Sequence, residues 1–197
     1  MEGSKKTIYS VASSILRKLD KTRDLPATRA RLAKIRNSIN KDTPNEIESI
    51  SFVFSNMPEE LVGNSGNLND YEKAILTAVQ MYALHQQGNS DSVLKLDYSE
   101  NEVRKNMGAS LSVLRSQDDQ AIDRRFNVMI TSSNFKELTN HLRQIIKILK
   151  SKSSETVDYA SLAEDLYWFL KNQKENVKIK WSRSFYSFKK KKEEGEN

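Results

Sequence analysis

The chain has 197 residues, of which 37% are hydrophobic and 29% charged, with 6 Gly, 3 Pro, no Cys and a formal net charge of +6. This fits one large domain or two small ones. It is too poor in Gly and Pro turns for an all-β sandwich or barrel, and it has no thiol for a disulfide framework, a Cys-ligated metal or a nucleophile. No apolar run reaches the roughly 18 residues of a membrane span. The polar start, Met1 to Lys6, has no apolar stretch behind it, so no signal peptide is expected.

Taken in chain order, the pattern predicts helices throughout. The first spans about 5–21, with Ile8, Val11 or Ala12, Ile15 and Leu19 at spacings of three and four. The second opens at Pro26, a good first-turn residue, and ends near Asn40. Its apolar stripe is Leu25, Leu32, Ile35 and Ile39, with Thr28 on the same face. Pro44-Asn45 opens a third helix through Phe52 and Phe54, and Gly63 to Asn67 marks a loop. Asp70 is read as the cap of a helix carrying Tyr71, Ile75, Val79 and Tyr82. Gly88 to Ser92 closes it, and residues 89–100 carry no clear pattern. Further helices are expected at about 101–115, 118–131, 134–150, 157–171 and 175–188, followed by a disordered charged tail at 189–197. The expected fold class is all-α, a compact bundle of about eight to nine helices with no sheet. Residues 1–188 form a single helical domain, with a possible division into halves near 89–100.

Charge is unevenly placed. Residues 1–40 carry 10 Lys/Arg and 3 Asp/Glu, residues 41–100 carry 3 and 10, and residues 101–197 carry 19 and 13. Two basic regions flank an acidic middle. Such regions bind phosphate by releasing counterions, or pair with the acidic middle of their own chain or of a neighbouring subunit. On the second helix, Arg29 and Arg36 stack seven residues apart, Arg31 lies on the other side and Lys34 faces solvent. On the 134–150 helix, Phe135, Leu138, Leu142, Ile145 and Leu149 make the core stripe, and Lys136, Arg143, Lys147 and Lys150 share a sector of about 60°. Each cationic flank reads either as a solvated surface or as a track for phosphate.

Arg124-Arg125-Phe126 sits on a helix whose buried face is Ile122, Phe126 and Met129. Arg124 points outward. Arg125 falls inside the apolar arc, so it either meets a carboxylate within the fold, with Asp165 the candidate, or faces a ligand beside Arg124. The aromatic groups Tyr159, Tyr167, Trp168, Phe169, Trp181, Phe185 and Tyr186 are read as core rather than as base-stacking platforms.

Catalytic signals are thin. His85 and His141 are the two histidines, and neither has a second His four residues on. There is no GxxxxGK[ST] or GxGxxG phosphate loop. The acid pairs Glu59-Glu60, Asp118-Asp119 and Glu164-Asp165 splay about 100° apart on a helix, and Asp118 and Asp119 suit a helix N-terminus. No catalytic residue, metal or cofactor is expected.

Several stretches together resemble one family. Met107-Gly108-Ala109-Ser110-Leu111, Leu114-Arg115, Asp123-Arg124-Arg125-Phe126 and His141-Leu142-Arg143 follow the order of the small (CasB-type) subunit of the type I-E CRISPR surveillance complex, Cascade. Val157 to Ala160, Asp165 to Trp168 and Val177 to Tyr186 continue it, and Ala27 to Arg36 is similar to that family's Arg-rich second helix. The acidic stretch 41–100 matches least, and Ser184 stands where the family often has an acid. The resemblance implies a non-catalytic, all-helical, cytoplasmic prokaryotic subunit in antiviral defence. Its partners would be guide RNA, both strands of target DNA, other Cascade subunits and a head-to-tail second copy, with no membrane. It would hold backbone without reading sequence and stabilise the R-loop. It implies nucleic-acid contacts at Arg29, Arg31, Lys34, Arg36, Arg115, Arg124 and Arg143. Lys136, Lys147 and Lys150 join from the stripe alone. A second reading of the same charges is a helical adaptor whose basic faces dock an acidic protein.

Overall fold

The computed structural model describes residues 6–39, 47–115 and 120–193, and it is all-α among them. Nine helices follow in order: α1 Ile8–Lys21, α2 Pro26–Asn37, α3 Ile47–Phe54, α4 Asp70–Gln86, α5 Met107–Leu111, α6 Gln120–Ile130, α7 Phe135–Lys152, α8 Tyr159–Trp168 and α9 Lys174–Glu193. Pro44-Asn45 and Asp118-Asp119 lie outside the described residues.

Helix α4 is the central post. Every residue from Ala74 to Gln86 is buried, as a helix surrounded by others must be. α1, α2, α7 and α8 pack around it. Its start is set by Asn69, one residue before the expected cap. The Asn69 side chain accepts from the Glu72 N–H, and the Glu72 carboxylate accepts from the Asn69 N–H, a reciprocal capping box. Gly88, at φ 79°, takes the left-handed conformation just past its end. On the α8 side, Tyr82 and Tyr159 meet edge to face at 5.9 Å. Tyr159 shares a 2.9 Å hydrogen bond with His85 Nδ1. Burial holds the Tyr159 hydroxyl above its usual range and His85 down to about 4, with the Lys150 charge adding to the latter, so both are neutral at pH 7.

The segment after α4 is extended rather than helical. The Val157 N–H donates to the Val93 carbonyl at 2.9 Å, and the Lys95 N–H to the Val157 carbonyl at 3.0 Å. This is an isolated bridge between Leu94 and Val157, with no sheet among the described residues. Asp158 then caps α8. Its carboxylate accepts from Ser161 N–H, Ser161 O–H, Tyr98 and Tyr9, tying α1 to α8. The helix expected at 101–115 is reduced to α5 and a 3-10 turn at Ser112–Leu114, because residues 101–106 lack a buried stripe.

α5, α6 and α9 form the second group, joined to the first through α7 and α8. Gly108 lets α5 reach the α9 backbone. A Cβ there would stand 2.0 Å from the Trp181 carbonyl oxygen, so no other residue fits without moving the helices apart. Asn106 caps α5 and also donates to the Ser184 hydroxyl at 2.7 Å, so the serine that departs from the family pattern has a neutral partner. Trp181 is buried and its Nε1–H donates to Asp165 at 2.7 Å. Asp165 also pairs with Lys180 at 2.7 Å. Between α8 and α9 the chain breaks at Asn172, at φ 60°, one of the few non-glycine side chains that tolerate this region. The α9 backbone continues helically through Glu193, beyond the helix end expected near 188, since Lys and Glu are both good helix formers.

The acidic middle is partly spent inside the molecule. Asp97 pairs with Arg17 at 2.7 Å and Asp70 with Lys171 at 2.9 Å, while Glu72 is consumed by capping and by the Gly63 N–H.

Candidate nucleic-acid interface

α2 buries Thr28, Leu32 and Ile35, which fixes where its cations point. Arg29 and Arg36, two turns apart, project to one side and line a cleft of about 460 Å³ against the end of α4. The opposite wall is polar and uncharged, with Gln87, Gly88, Asn89 and Ser90. Arg23 lines the same cleft, although no periodicity marks it, because it lies in the turn between α1 and α2. One guanidinium nitrogen of Arg23 donates to the Asp20 carbonyl at 3.1 Å. Arg29 meets Asp24 at 3.7 Å with both side chains well exposed, a weak surface pair. Leu25, read as part of the α2 stripe, is 55% exposed because it is the N-cap residue.

The α7 flank joins this surface. Arg36 lies close enough to Lys150 for its charge to act there. Burial chiefly, and the Arg36 charge with it, hold the Lys150 ammonium pKa below the usual lysine value. Two cations side by side favour an anionic occupant. Lys136 and Lys147 are exposed, and Arg143 and Lys150 half-buried, along the same flank. The Arg143 Nε–H is buried without a hydrogen-bond partner among the described residues.

Other expected contact residues stand elsewhere. Arg31 lies over the Phe52 ring at 4.5 Å, and Lys34 is exposed on the outer face of α2. Arg115 is spent on the fold. It forks onto both Asp123 oxygens at 2.8 and 2.9 Å and packs over Phe185 and Tyr186. Arg124 is exposed on α6 and belongs to a different cleft, on the far flank of α7. Arg125 is also exposed, not buried against Asp165 as one reading had it. It sits at the edge of the apolar arc, where a long side chain reaches water, and Asp165 is taken by Lys180 and Trp181. Of the aromatic group, Tyr159, Phe169, Trp181 and Phe185 are core. Trp168 (43% exposed) and Tyr186 (37%) are not, because each stands on the outer side of its helix.

Among the described residues no three His, Asp or Glu side chains converge as a metal ion would require. No helix among them is long and apolar enough to cross a membrane.

The family model for CRISPR-associated protein Cse2 matches residues 31–186. The chain belongs to the Cse2 family. The matched span includes the acidic middle, while residues 1–30 and 187–197 lie outside it. The Cse2 fold is repeated in solved structures. CasB from Thermobifida fusca superposes with a TM-score of 0.69 at 22% identity, covering 92% of this chain and 99% of that one. CasB from M. ruber gives 0.68 at 18% identity, covering 98% and 100%. A chain of a CRISPR RNA-guided surveillance complex gives 0.68 at 18% identity, covering 92% and 94%. The comparison with curated proteins returns no match. At these identities the structural likeness speaks for the fold, and the Cse2 assignment rests on the sequence model.

Proposed function

We propose that this Cse2 chain is a non-catalytic subunit of a prokaryotic, cytoplasmic RNA-guided surveillance complex. It holds the backbone of guide RNA and target DNA, including the displaced strand, beside other Cascade subunits and a head-to-tail second copy. The family and the likeness to a chain of such a complex support the setting. The observation that carries the binding role is that Arg29 and Arg36 line the α2–α4 cleft and Arg36 lies near Lys150 of α7, whose flank Arg143 shares by helix geometry. These cations offer a track for phosphates. Base pairing to the guide supplies sequence specificity in such complexes, so backbone contacts suffice.

Fluorescence anisotropy with single-stranded DNA and RNA of two unrelated sequences tests this. Equal affinity for both sequences and a steep fall with salt are expected. Changing Arg29, Arg36 and Arg143 together to Glu weakens binding at least tenfold and flattens the salt slope by about 2. Binding that ignores both salt and the triple reversal would refute the proposal.

A further inference from the structure

A second cleft, of about 220 Å³, opens between α6 and α7. Arg124, Arg125 and Val128 of α6 face His141, Gln144 and Ile145 of α7 across it. On α7 these three residues occupy a sector of about 100° on the flank away from the Lys136–Lys150 stripe. One backbone following the α2–α7 face therefore does not run through this cleft.

Its chemistry also differs. Arg124 and Arg125 are exposed, and the carboxylate beside Arg124 in sequence, Asp123, is engaged by Arg115. Val128 is 48% exposed, a large apolar group left in water beside two guanidinium groups. No Phe, Tyr or Trp lines the cleft, so a base inserted there would meet only the His141 ring and the guanidinium planes, beside the apolar Val128 and Ile145. Two planar forks match carboxylates in a bidentate way, and Val128 and Ile145 match an aliphatic side chain.

We propose that the α6–α7 cleft is a docking site for a protein segment that presents a carboxylate next to an aliphatic side chain. The carboxylate takes the Arg124–Arg125 forks, with Gln144 and His141 as polar neighbours, and the aliphatic group covers Val128. This does not rest on nucleic-acid binding by the α2–α7 face.

The test uses the full chain, isotope-labelled for methyl and amide NMR, titrated with a ten-residue peptide of alternating Glu and Leu. Shifts at Val128, Ile145 and His141 are expected. A Gln-for-Glu peptide gives none, and Arg124→Gln with Arg125→Gln weakens binding at least tenfold. Both arginines are exposed, so the double variant keeps its fold. A saturating dT oligonucleotide leaves the peptide in place. Peptide shifts that bypass the cleft, or that survive the double substitution, overturn the proposal. So does an oligonucleotide that itself shifts Val128 and Ile145 and expels the peptide. An oligonucleotide that binds nowhere counts against the backbone-holding function and leaves the peptide result standing.

Discussion

Arg115 and Arg36 are the same residue type in two opposite situations. Arg115 has a carboxylate on its fork and two aromatic rings beneath it, and its side chain is only 11% exposed. Arg36 lines an open cleft and has a lysine for a neighbour. The first region is neutral, closed and holds α5, α6 and α9 together. The second is open and lined by Arg23, Arg29 and Arg36 with Asp24. A guanidinium already matched by carboxylate and ring has little left to offer a ligand, whereas one crowded by another cation gains from one.

Substitutions can break this contrast. The largest loss is expected at Gly108→Ala, where the new methyl meets the Trp181 carbonyl and forces α5 from α9. About 3 kcal/mol of stability goes, read as a lower urea midpoint. Arg115→Ala comes next, at about 2 kcal/mol, because Asp123 and the ring stack lose their partner. An unchanged midpoint in either variant would show that the second helix group does not depend on these contacts.

Acid sharpens the comparison at the end of α4 beside the cleft. His85 is neutral in the fold down to about pH 4, while the unfolded chain takes up a proton near its ordinary value of 6.5. The unfolded state therefore binds more protons in this window, and stability falls as pH drops from 6.5 toward 4. About 1.2 kcal/mol is lost between pH 7 and 5.5 through this group. His85→Asn, whose amide can still meet Tyr159, flattens that slope, and an unaltered slope would remove His85 from the account. The smallest effect is expected at the helix break, where Asn172→Ala costs about 1 kcal/mol for a Cβ-bearing residue at φ 60° without the amide that eases it.

Much of the scaffold was legible from residue pattern. The α1 stripe of Ile8, Val11, Ala12, Ile15 and Leu19 is buried, and α7 keeps the expected period through Leu138, Leu142, Ile145 and Leu149. Periodicity works there because each helix buries one face only. It misled at 101–106, where the chain turns at Ser99–Glu102 and the residues are exposed or half-buried instead of forming a helical stripe. It misled at Arg125 too, where a position near the edge of the arc lets a long side chain escape. Site residues were less legible. Arg29, Arg36 and the α7 cations follow from helix geometry, but Arg23 sits in a turn that no period describes. Arg115 appeared available because its partners, Asp123 nearby and Phe185 some 70 positions on, meet it only in three dimensions. The second cleft escaped for the same reason, since α6 and α7 contribute half its lining each.

The most direct test measures Arg36→Ala and Arg115→Ala side by side, each for urea unfolding and for the salt dependence of single-stranded DNA binding. Arg36→Ala should unfold within about 0.5 kcal/mol of the parent and lose roughly 0.7 from the slope of log K against log salt. Arg115→Ala should lose stability and keep the parent slope while folded. Were Arg115→Ala to lower the slope and Arg36→Ala to leave it unchanged, the assignment of one arginine to the ligand and the other to the fold would be contradicted.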